Sequence, residues 1–250
     1  DNLVLILDKE AASYPWELLR DPDDKSGKPI SVQKGLLRQL ETLNSSPKVR
    51  ESGGFNALVV GDPISRFTPL PSARDEARAV WGLLNGEYFH AGEPLIQRSA
   101  TEIINALYAK PYRVLHLAGH GVYNFPMRQA DANDQRRTGM ILSDDIVLSP
   151  TEVRQMRDVP ELVFINCCHL GRIEKAPEKS EEGNVRDDYN RIAANVATEF
   201  IQSGVRAVVA AGWAVDDDAA TTFATTFYKA MLNGEAFGEA RALLRGRMDR

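Results

Sequence analysis

Short apolar runs at Leu3–Leu7, Ala57–Val60, Val114–Ala118, Leu162–Ile165 and Ala207–Ala211 punctuate the chain. They are rich in β-branched residues and lack polar alternation, a pattern that predicts parallel strands covered on both faces. Helical patterns lie between them. Ser72 opens one, with Ala77, Val80, Leu83 and Leu84 at helical spacing, and Ser72 with Asp75 has the form of a capping box. Thr101–Leu107 predicts a second helix. Ala193–Gln202 and Asp217–Met231 predict two more, closed by Ser203-Gly204 and Asn233-Gly234. Strand–helix alternation of this kind predicts a doubly wound α/β/α sandwich with a mostly parallel central sheet. Ligands of such sheets bind at the carboxyl ends of the strands. The segment Gly139–Leu148 reads as a small hairpin off the main sheet. Asn124–Arg137 and Arg172–Arg191 are polar and charged, and loops of such length in a compact domain are functional or disordered. No internal repeat is present.

Two of the runs stop abruptly at reactive side chains. Leu115-His116-Leu117-Ala118-Gly119-His120-Gly121 ends on a histidine between glycines. Leu162-Val163-Phe164-Ile165-Asn166-Cys167-Cys168-His169-Leu170-Gly171 ends on a cysteine pair followed by glycine. A thiol needs a neighbouring base to ionise near neutral pH, and adjacent parallel strands deliver both groups to one sheet edge. Cys168 is the candidate nucleophile and His120 the candidate base. The amides of Gly121 and Cys168 are candidates to hold a developing oxyanion. The plainer reading of a strand-end cysteine is a small buried hydrophobe. Alternation along the strand assigns that role to Cys167, on the face opposite Cys168.

The remaining chemistry is thinner. His116 lies inside an apolar run and reads as a core histidine with a satisfied hydrogen bond, His169 should point away from Cys168, and His90 sits in a turn-rich stretch. The four histidines and two cysteines carry no metal-ligand spacing, so no metal and no cofactor is expected. In Gly212-Trp213-Ala214-Val215-Asp216-Asp217-Asp218, three acids open a helix. Capping and the helix dipole account for them; the functional alternative is a pocket for a basic side chain floored by one of Asp216, Asp217 and Asp218 and walled by Trp213. Gly61-Asp62-Pro63 has too few glycines for a phosphate-binding loop.

Composition narrows the partners. A net charge of −5 without a Lys/Arg run argues against nucleic acid. No apolar stretch nears the roughly 18 residues of a membrane span, and no signal peptide opens the chain. Two adjacent cysteines build no disulfide framework, so a reducing, cytoplasmic compartment is expected. The chain starts inside a strand pattern and ends on an uncapped helix pattern, as one domain (1–250) of a longer protein would.

Taken together, the two strand ends and Ala210-Ala211-Gly212-Trp213-Ala214-Val215-Asp216-Asp217 resemble the CHAT domain, a caspase-like peptidase domain found beside TPR repeats in bacterial proteins. Tyr14-Pro15-Trp16-Glu17-Leu18-Leu19 is similar to the family's P-W-E-x-L segment, and the resemblance covers nearly the whole chain. The spacing from His120 to Cys168 is also close to the roughly 50 residues that separate histidine from cysteine in caspases. The resemblance implies a Cys–His dyad of Cys168 and His120 acting on protein substrates. It also implies regulation by TPR or other sensor segments and, by analogy with separase, an acid at Asp217 that holds a substrate arginine. The family's S-A-C-x-T-G becomes Asn166-Cys167-Cys168-His169-Leu170-Gly171, so His169 and Leu170 depart from its pattern. A catalytically silent caspase-like interaction module is the competing class, and a nucleotide binder is a third.

Overall fold

The computed structural model describes residues 3–8, 10–14, 16–33, 36–40, 55–126, 136–143, 146–156, 158–167, 196–210 and 217–235. Its centre is a six-stranded sheet in which every pairing is parallel. The order is β11 (Ala207–Ala210), β10 (Leu162–Asn166), β6 (Val114–Ala118), β3 (Asn56–Gly61) and β4 (His90–Ala91), with β5 (Leu95–Ile96) also pairing with β3. Four of the five apolar runs are therefore strands of this sheet, and β3, β6 and β10 are buried along nearly their whole length.

Helices cover both faces. Against one lie α2 (Pro71–Leu84) and α6 (Asp217–Leu232), which bury Ala77, Val80, Leu84, Ala224, Phe227 and Tyr228 on Val59, Val114 and Phe164. Against the other lie α3 (Ala100–Ala109) and α5 (residues 196–202), whose Ile103, Leu107, Val196 and Phe200 pack on Leu115, Leu117, Val163 and Ile165. The layered architecture is that of a caspase-like α/β fold.

Local sequence accounts for the helix ends. Ser99 and Glu102 form a reciprocal capping box ahead of α3, one residue earlier than the sequence start at Thr101. The α2 start differs from expectation. Leu70 is the cap without any side-chain bond, and Pro71 rather than Ser72 opens the helix, because proline loses nothing where the N–H has no helical partner. Both glycine stops are left-handed caps. Val205 N–H reaches Phe200 O beyond Gly204 (φ 104°), and Glu235 N–H reaches Ala230 O beyond Gly234 (φ 76°).

The predicted hairpin is present as β8 (Arg136–Ser143) and β9 (Ile146–Leu148), but it belongs to a three-stranded antiparallel sheet with β7 (Gly121–Pro126). The supposed loop Asn124–Arg137 therefore begins and ends in strands. Gly139, at φ 155°, has Leu148 O only 2.2 Å from where a Cβ would stand, so the β8–β9 pairing requires glycine there. Leu3–Leu7 is also corrected. It forms β1 of a separate two-stranded parallel sheet with β2 (Leu36–Leu40), and Leu3, Val4 and Ile6 are exposed rather than covered. Apolar character alone cannot distinguish a central strand from such a ribbon. Glu17 of the P-W-E segment is buried and ion-paired with Arg38 of β2.

Candidate active site

The two reactive strand ends are neighbours. β6 and β10 pair in parallel, with Ala118 opposite Asn166, and Gly119 N–H donates to Asn166 O at 3.1 Å. His120 stands two residues beyond one member of that registered pair, and Cys168 two residues beyond the other in sequence. Cys168 itself lies outside the described residues, as do Trp213, Asp216, His169 and the Arg172–Arg191 segment. Asp217 is the first residue of α6. Cys167 is half-buried and packs against the core cluster under α3 and α5, the face shared by Val163 and Ile165. The core-facing side is the one expected for Cys167, although it is half-buried rather than buried.

His120 is fixed by its surroundings. Its Nε2 lies 2.7 Å from Thr68 O; a carbonyl only accepts, so Nε2 carries the proton and Nδ1 is the basic nitrogen. The ring also lies 5.5 Å from that of Phe67. Its backbone is held by the antiparallel sheet, where Ile141 N–H donates to His120 O at 2.8 Å. That bond makes Gly121 and Met140 a non-hydrogen-bonded pair of the β7–β8 ladder, which turns the Gly121 N–H away from β8.

Several residues that gave no signal in the sequence build the edge. Thr68, immediately ahead of α2, acts through its backbone, which no side-chain motif reveals. Asp62 is buried with φ 47°, donates its N–H to Ala118 O at 2.9 Å, and accepts from Arg74 Nε at 2.7 Å. This fastens the β3 and β6 ends to α2. Glu76 of α2 is 1% exposed and accepts from Asn166 Nδ2 at 2.6 Å. Its other oxygen is 3.2 Å from Nε2 of His116, which is fully buried with Nδ1 3.3 Å from the Tyr228 hydroxyl. His116 is thus a core histidine, as expected, but the hydrogen bonding expected of it is only partly met: Nδ1 pairs with Tyr228, while Nε2 makes no aligned hydrogen bond. Burial, with the Glu76 charge adding to it, pushes the Tyr228 phenol well above its ordinary range.

Among the described residues no cluster of His, Cys, Asp and Glu could hold a metal ion, and no helix is long and apolar enough to cross a membrane. The family model of the CHAT domain matches residues 1–249. No curated protein and no solved structure matches the chain.

Proposed function

Because the chain belongs to the CHAT domain family, which is caspase-like and peptidase-related, we propose that it is a cysteine endopeptidase using Cys168 and His120. The observation that carries this reading is the His120 imidazole, oriented by Thr68 O at the end of a strand in register with the one that leads into Cys168. Asn166, two residues before Cys168 in sequence, lies on the α2 side of the sheet, where it donates to Glu76.

In the proposed reaction Nδ1 takes the thiol proton and the sulfur attacks the scissile carbonyl carbon. The resulting oxyanion is held by the amides of Gly121 and Cys168. As the C–N bond breaks, the imidazolium gives its proton to the leaving amine. Water, activated by the same histidine, then hydrolyses the thioester and releases the free thiol. Asp217, at the N-terminus of α6, with Asp216 and Trp213, is proposed to receive an arginine or lysine side chain before the cut through a charge-assisted pair.

CHAT domains are often associated with TPR-type repeats. We assign to such a sensor segment, in this chain or a partner, the release of a latent form. A peptide-library cleavage profile of the wild type and Cys168→Ala tests the assignment. Cleavage by the wild type alone supports it, whereas equal profiles, or none with either protein under activating conditions, favour the silent interaction module.

A further inference from the structure

The inward face of α2 is apolar at Ala73, Ala77, Val80 and Leu84, yet it buries a carboxylate at Glu76. Desolvating a carboxylate is costly unless partners offset it, so the direction in which Glu76 is satisfied is informative. Toward His116 the satisfaction is poor, since Oε1 and Nε2 face each other at 3.2 Å without hydrogen-bond alignment. Toward Asn166 it is good, at 2.6 Å. Asn166 in turn is a node between the two strand ends. Its carbonyl accepts from Gly119, the residue before His120, and its own chain runs directly into Cys167-Cys168. The same stretch of chain, Thr68 to Glu76, orients His120 at one end and grips Asn166 at the other.

We infer that Glu76 and Asn166 are positioning residues for the nucleophile. The Glu76 carboxylate locks the Asn166 side chain and so fixes the end of β10 against the histidine strand. This deepens the peptidase reading and rests on it. An apolar pair of equal volume would fill the space but would leave the strand end free to shift, and a displacement of about 1 Å at a reacting group can cost about a hundredfold in rate.

The test is a charge-and-amide exchange in a Cys167→Ala background, so that one thiol is followed. Asn166→Asp sets two carboxylates face to face. Adding Glu76→Gln restores a hydrogen bond in the opposite direction, from Gln Nε2 to the Asp oxygen. Cys168 alkylation by iodoacetamide, peptide cleavage and the thermal midpoint are measured for each variant. Asn166→Asp should slow alkylation near neutral pH and lower kcat by about tenfold or more, with KM little changed, and the double variant should recover most of both. A folded Asn166→Asp protein with wild-type alkylation and kcat overturns the inference, as does a double variant that regains its thermal midpoint without its alkylation rate. Should Asn166→Asp not fold, Asn166→Ala, which brings no like charge, is read by the same criteria. Alkylation requires no substrate. A thiol that alkylates in wild-type fashion but never cleaves peptide therefore rejects the peptidase reading and leaves the strand-positioning result separately readable.

Discussion

His120 is gripped at its ring by a backbone carbonyl and at its own carbonyl by the Ile141 amide, so neither its tautomer nor its height above the sheet is left to chance. Nothing in the residues around Thr68 announces this, because a carbonyl acceptor carries no side-chain signature. The position of His120 at the end of a buried strand was legible, since a polar residue that ends an apolar run contradicts simple burial. Glu76 was not, because a glutamate in a helix reads as solvated until the facing strand supplies Asn166. Tyr228 extends the same buried group. Tyr228→Phe should lower stability by about 1 kcal/mol, measured by denaturant unfolding, for loss of a buried hydroxyl partner to His116. The phenol's raised pKa also has a sign. Below the unfolded value near 10.0 its contribution is fully present, and above that value the unfolded state ionises first, so stability falls as pH rises. A spectrophotometric titration of the wild type against Tyr228→Phe should show Tyr228 ionising above the exposed tyrosines; its ionisation together with them in the folded state would contradict this.

The helix α2 is the element on which the edge depends, and its distance from the sheet is set by a glycine. A Cβ on Gly61 would stand 2.6 Å from Ala77 Cβ and 3.0 Å from Ala73 O. Gly61→Ala must therefore push α2 outward, with an expected cost of about 1–3 kcal/mol from overpacking and a fall in turnover larger than that of Gly82→Ala, whose site is open. Equal turnover for the two variants would show that α2 does not gauge the edge. At this scale the sequence reading succeeded for buried strands and for helices with glycine stops, where period and caps agree. It failed for Leu3–Leu7, whose partner strand is remote in sequence, and for β7, whose last residues from Asn124 open a polar, charged stretch that was read as loop. The α6 start carries the specificity proposal. Asp217→Ala should reduce cleavage of peptides with Arg or Lys before the cut far more than of neutral ones, and a profile dominated by apolar or acidic residues there would return the acids to helix capping.

For the whole molecule, the parallel sheet aligns the carboxyl ends of β3, β6 and β10, and side chains of α2 together with the Thr68 carbonyl from the loop that leads into it converge on that edge. Control of such an edge is proposed to reside in Arg172–Arg191, which follows the cysteine motif in sequence. Hydrogen exchange across that segment should differ between the isolated domain and an activated full-length protein; unchanged protection alongside a real change in activity would rule it out as the switch. The dyad itself is tested most directly by covalent labelling. The protein is incubated with a peptide acyloxymethyl ketone, and the modified residue is located by mass spectrometry in the wild type, Cys167→Ala, Cys168→Ala and His120→Ala. The account predicts a single adduct at Cys168, retained in Cys167→Ala, lost in Cys168→Ala and strongly slowed in His120→Ala. An adduct at Cys167, or none in any activated form, would contradict it.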